Sequence, residues 1–129
     1  MALCLLAGGC AASGALHRGT DAEFRQDYDL AVVEYAKALR LRPDDGNTRA
    51  ALERSKLRAS DDHFTRGRRL AATGKFDQAL VEYQVASELN PSNGDLDHEL
   101  LATRPKLRTR IAVARGGQTA LQTPIDRAR

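Results

Sequence analysis

The sequence predicts an all-α protein: an α-solenoid of two helix-turn-helix repeats joined by a long helix, closed by a C-terminal capping helix. Three observations carry this expectation. Ala and Leu together supply 38 of the 129 residues, against 7 for Val and Ile; Ala and Leu favour helix, whereas strands draw on β-branched and aromatic side chains. A thirteen-residue segment, Ala31 to Pro43, recurs as Ala79 to Pro91 with seven identities. Between the two copies, residues 47–73 contain no proline. A chain of this length holds one domain and excludes a large multidomain enzyme.

The first element is residues 1–11. Met1 to Gly9 are apolar and uncharged and lead directly to Cys10. A bilayer span needs about 20 apolar residues, so the segment is too short to cross. It resembles the end of a secretory signal, and Ala7-Gly8-Gly9 before Cys10 resembles the bacterial lipobox. In that motif the leader is cut before the cysteine and acyl chains are added to it. The family's Leu falls on Ala7, with Leu6 one place further out, and no Lys or Arg stands near Met1. The resemblance implies that Cys10 is lipidated, that Cys4 leaves with the leader, and that the chain meets a membrane through this lipid. The alternative is the apolar N-terminus of a cytosolic protein. Cys4 and Cys10 are the only cysteines, so the body has none for a structural disulfide or a zinc site.

The first repeat, residues 12–45, carries Arg18-Gly19, then Tyr28-Asp29, then the segment ending at Pro43. The second, residues 60–93, repeats this order with Arg66-Gly67, Phe76-Asp77 and Pro91. Small residues where helices cross let the backbones approach, and a tyrosine beside them fills the space. Each proline ends its helix, because the residue before it is driven out of the α region. The joining helix is expected over 47–73, capped by Asn47 and stopping before Gly74. It would set the repeats about 21 Å apart along a shared rod at 1.5 Å per residue. A break at Ser60-Asp61-Asp62 is the competing reading. The capping helix is expected over 95–115, kinked or split by Pro105 near Thr103-Arg104 and ended by Gly116-Gly117, with 118–129 as a tail.

These positions resemble the tetratricopeptide (TPR) pattern. Its small residue falls on Gly19 and Gly67, its helix-packing Ala on Ala31 and Ala79, and its large aromatic on Tyr35 and Tyr83. The second small residue falls on Ala38 and Ala86 and the closing proline on Pro43 and Pro91. Departures lie in the first helices, where the family's Trp, Leu and later aromatic are replaced by Ala15, Arg18 and Ala22, and by His63, Arg66 and Leu70. The resemblance implies a binding scaffold that holds a peptide or partner helix on its first helices. Carried over, this surface comprises Leu16, Thr20, Glu23 and Phe24 in repeat 1 and Phe64, Arg68, Ala71 and Ala72 in repeat 2, positions that equally suit core packing. The Lys and Asn set of chaperone-binding TPRs is missing.

Other chemistry is not expected. The histidines, His17, His63 and His98, stand at least 35 residues apart, and no glycine loop has a phosphate-cradling pattern. Glu34 and Glu82 recur but fit solvent-facing or inter-helix positions rather than an acid/base pair. The expectation is no enzyme, no metal and no cofactor. A net charge of +3 is too mild for nucleic acid. Only the C-terminal part is basic, and Arg104, Lys106, Arg108, Arg110 and Arg115 are expected to form a solvated face, the alternative being a site for an acidic partner or lipid head groups. More loosely, a lipobox-like cysteine running into a TPR pair, a lengthened joining helix and a closing arm are similar to the N-terminal portion of bacterial secretins of type II secretion and type IV pilus systems. That likeness implies a docking part at the periplasmic face of a membrane in the bacterial envelope. A stand-alone envelope TPR lipoprotein and a cytoplasmic TPR adaptor are the alternatives.

Overall fold

A computed structural model describes the backbone of residues 5–126 and the side chains of residues 10–117. Among the described residues the chain is all-α, with helices α1 (Leu5–Phe24), α2 (Tyr28–Leu41), α3 (Gly46–Ala72), α4 (Phe76–Leu89) and α5 (Gly94–Asp126) and no strand. The chain divides into two compact units, Met1–Asp62 and His63–Arg129. Of the signal-like segment 1–11, residues 1–4, including Cys4, lie outside the described residues, and Cys10 sits within α1.

In the first unit α1 packs against α2. Gly19 makes the crossing close: a Cβ there would lie 2.7 Å from the Tyr35 ring. Tyr35 is buried with Ala22, Ala31, Ala51 and Leu52, and Leu16, Val32, Ala36 and Leu39 close the cluster. The turn after α1 is a Schellman motif, in which the Asp27 N–H donates to the Ala22 carbonyl at 2.9 Å and the Gln26 N–H to the Glu23 carbonyl at 3.0 Å. It places Gln26 at φ 61°, in the left-handed region where a Cβ is strained. Asp27 then caps α2 by accepting from the Leu30 N–H at 3.2 Å. Before Pro43, Arg42 leaves the helical region at φ −136°, ψ 81°.

The start of α3 corrects one expectation. Asp45, not Asn47, is the cap: its carboxylate accepts from the N–H groups of Asn47 and Thr48 at 3.1 and 3.0 Å and from the Thr48 hydroxyl at 2.8 Å. These bonds, the Thr48 N–H first, hold the Asp45 carboxyl below its ordinary pKa. The helix then continues without interruption through Ser60-Asp61-Asp62. Ser60 is fully buried, so it does not open a new helix at the surface.

In the second unit the same devices recur 48 residues on. A Cβ on Gly67 would lie 2.5 Å from the Tyr83 ring. Tyr83 is buried with Ala79, Ala86, Leu96 and Leu100, flanked by Phe64, Leu70, Ala71 and Leu80. The Schellman turn after α3 has Gly74 at φ 75°, with the Gly74 N–H on the Ala71 carbonyl and the Lys75 N–H on the Leu70 carbonyl. Asn90 precedes Pro91 at φ −138°, ψ 82°, nearly matching Arg42. Gly74 occupies the position where the first unit has Gln26, which yields a prediction: Gln26→Gly should stabilise the chain by about 1 kcal/mol, read as a rise in the urea midpoint.

The last helix is longer than expected. It passes through Pro105 and through Gly116-Gly117 to Asp126, so neither stops it; the backbone of 118–126 is helical rather than a tail, and 127–129 lie outside the described residues. The proline removes the bond to the carbonyl four residues back, that of Leu101, which is 67% exposed and on a side where water can satisfy it. Glycine weakens a helix without forbidding it.

Candidate partner-binding surface

Two recurring ion pairs tie the helices of each unit together. Arg18 donates through Nε and Nη2 to Glu34 Oε2, both at 2.9 Å, a charge-assisted contact between α1 and α2. In the second unit Glu82 Oε2 receives Arg66 at 3.3 Å and lies 2.7 Å from His63 Nδ1. Arg18 and Arg66 stand at corresponding places in the two units, and Glu34 and Glu82 are their partners across each hairpin. The sequence showed both halves of each pair at the same 48-residue offset, but not that they meet. The other histidines are separate from this one: His17 pairs with Asp21 at 3.0 Å, and His98 is exposed.

The candidate residues of the first unit are largely engaged in structure. Leu16 packs against the core. Thr20 donates to the Leu16 carbonyl at 3.0 Å. Glu23 accepts the Tyr35 hydroxyl at 2.7 Å, with Arg54 at 3.9 Å on its other oxygen. Burial raises the Tyr35 pKa; the hydrogen-bonding contact with the Thr20 hydroxyl opposes this, and Glu23 adds to it by hydrogen bond and charge. Phe24 is presented at 89% exposure, and Thr20 is exposed as well.

In the second unit the residues divide differently. Phe64 and Ala71 pack against the core, the Phe64 ring 5.9 Å from that of Tyr83 and tilted by 48°. Arg68 and Ala72 are exposed and line a shallow hollow with Thr65 and Arg69. Arg68 lies over the Phe64 ring at 5.9 Å and 3.9 Å from Glu99. The hollow is lined by two arginines, Arg68 and Arg69, side chains suited to an acidic or polar group. Thr65 and Arg69 were not among the sequence candidates. Their signal was available, since 65, 68, 69 and 72 follow the i, i+3, i+4, i+7 spacing of one helical face.

Glu23 and Ala71 occupy corresponding positions, which separates the two tyrosines. The Tyr83 hydroxyl is buried without a hydrogen bond of ordinary geometry, and its pKa is raised by burial first and then by the charge of Glu99, which Arg68 opposes. Tyr35→Phe should therefore cost about 1–2 kcal/mol, by leaving half-buried Glu23 short of a donor, whereas Tyr83→Phe should be neutral or stabilising. Urea denaturation of the two variants in parallel checks the contrast.

Cys10 is exposed and its thiol free. No helix among the described residues is long and apolar enough to cross a membrane. No protein-family model matches the chain, and no curated protein matches it.

Proposed function

We propose that this chain is a non-enzymatic TPR-type scaffold that binds a protein partner, held at the periplasmic face of a bacterial membrane by a lipid on Cys10 and related to secretion or pilus machinery. The observation that carries the scaffold reading is the recurrence of one crossing: Gly19 under Tyr35 and Gly67 under Tyr83, each tyrosine buried with an alanine four residues before and three after it. That crossing uses the positions at which the sequence resembles TPR units. A partner, a peptide or helix, would meet Phe24 in the first unit or the hollow of Thr65, Arg68, Arg69 and Ala72 in the second, each taken by itself. The envelope reading is supported by the exposed Cys10 behind three small residues.

A photo-crosslinking residue at Phe24 or Ala72, introduced in the native cell, tests the scaffold. Crosslinks to one discrete protein from these positions, and none from Lys37 on α2, are expected; equal labelling from all three would reject the surface. Intact mass of the same material tests the anchor. A chain starting at an acylated Cys10 is expected, and an unmodified chain starting at Met1 or Ala2 would leave a cytoplasmic adaptor.

A further inference from the structure

The first unit carries an apolar hollow that shares no residue with the proposed partner surface. Ala36, Leu39, Arg40 and Pro43 of α2 and Arg49 and Leu52 of α3 enclose about 410 Å³. Its aliphatic side chains are half-buried or buried, whereas Arg40 and Arg49 are exposed. Arg49 donates through Nη2 to the Pro43 carbonyl at 2.6 Å, which holds it beside the hollow with guanidinium donors to spare. Asp44, Asp45 and Glu53 do not line it. The 48-residue offset gives every lining position a counterpart in the second unit: Gln84, Ser87, Glu88, Pro91, Asp97 and Leu100. The proline and the buried leucine are kept, while both arginines become exposed carboxylates. Leu52 and Leu100 lie in matching clusters, each with the tyrosine of its unit, so the two places share one local fold and carry opposite charge. No Lys or Arg stands between Lys75 and Arg104 to offset Glu88 and Asp97. One turn beyond Asp97, Leu101 is 67% exposed.

We infer that the hollow of the first unit docks the α4–α5 face of a second copy of this chain. Leu101 of the second copy enters the hollow over Leu39 and Leu52, and its Glu88 and Asp97 meet Arg40 and Arg49 at the edge, as charge-assisted pairs around an apolar centre. A second copy is the occupant that the sequence itself supplies: two carboxylates at the places where the hollow has its two arginines, with an exposed leucine one turn away. Charge also decides which faces meet. Two first units face to face would set arginine against arginine, and two second units carboxylate against carboxylate, so only the unlike pairing is attractive. The contact is therefore heterologous, between two different patches of the same chain. It uses neither Phe24, nor the hollow at Arg68 and Arg69, nor Cys10.

Analytical ultracentrifugation of the full, unacylated chain tests this, under reducing conditions so that Cys10 cannot link copies. Concentration-dependent association that weakens with salt is expected. Reversing either side, by Arg40→Glu with Arg49→Glu or by Glu88→Arg with Asp97→Arg, should raise the dissociation constant about a hundredfold, because repulsion replaces attraction at two places. Each reversed chain should keep the parent's helical circular dichroism spectrum. Mixing the two reversed chains makes the faces complementary again and should restore association, which a misfolded variant could not do. Leu101→Ala should weaken association about tenfold through the apolar contact alone. A chain that stays monomeric at every concentration, association that neither salt nor the reversals change, or folded reversed chains that do not associate when mixed would each overturn the inference.

Discussion

Tyr83→Ala should destabilise the chain by about 3–5 kcal/mol, the cost of emptying a buried aromatic site that cannot collapse. Tyr83 is fully buried, and its ring is shared by three helices: Gly67 and Phe64 of α3, Ala79 and Ala86 of α4, and Leu96 and Leu100 of α5. The surrounding alanines are too small to fill the vacated space. With only six aromatic residues and no Trp, the chain has little other bulk to redistribute. Against a typical total of about 5–15 kcal/mol, the loss is a large fraction of stability. The urea midpoint should fall at unchanged slope. Because Tyr83→Phe removes the hydroxyl and keeps the ring, it separates the ring's contribution from that of the orphaned polar group. A cost under about 1 kcal/mol for Tyr83→Ala would mean that the α3–α4–α5 cluster is not a packed core.

The features legible in the sequence were those whose cause is local or repeated. The Ala-Tyr-Ala triads could be read because burial, size and helical spacing act together at Ala31, Tyr35 and Ala38 and again at Ala79, Tyr83 and Ala86. The long α3 could be read from the missing proline. What was misread depends on which side of a helix meets water or another helix. Pro105 was expected to kink or split α5, and it does not split it: the carbonyl it leaves without a partner belongs to exposed Leu101. Asn47 and Asp45 are both good caps by type, and only the turn geometry selects Asp45. The Arg18–Glu34 and Arg66–Glu82 pairs join residues 16 apart on different helices, beyond any single-helix periodicity. The candidate surface thinned for the same reason: Glu23 is claimed by a tyrosine on the facing helix, and Leu16, Phe64 and Ala71 by the cores beneath them.

Gly67→Ala sets two principles against each other and should decide between them. Helix propensity alone says that replacing a glycine in mid-helix by alanine stabilises by about 1 kcal/mol. At Gly116, where an added Cβ meets nothing within 4 Å, that is the expected sign. At Gly67 the same methyl would stand 2.5 Å from the Tyr83 ring. The ring is fully buried in one cluster with Leu96 and Leu100, so relief requires moving α3 away from α4. Overpacking of this kind costs about 1–3 kcal/mol, so the net change should be destabilising. The cause can be isolated by a double-mutant cycle, since the two residues touch and their effects should not add. In a Tyr83→Ala background the clash is gone, and Gly67→Ala should become neutral or stabilising, as propensity alone requires. If Gly67→Ala raises the urea midpoint with Tyr83 intact, the close crossing of α3 and α4 is wrong. The same experiment then removes the main support for the TPR-type reading, because that crossing is what the two units share.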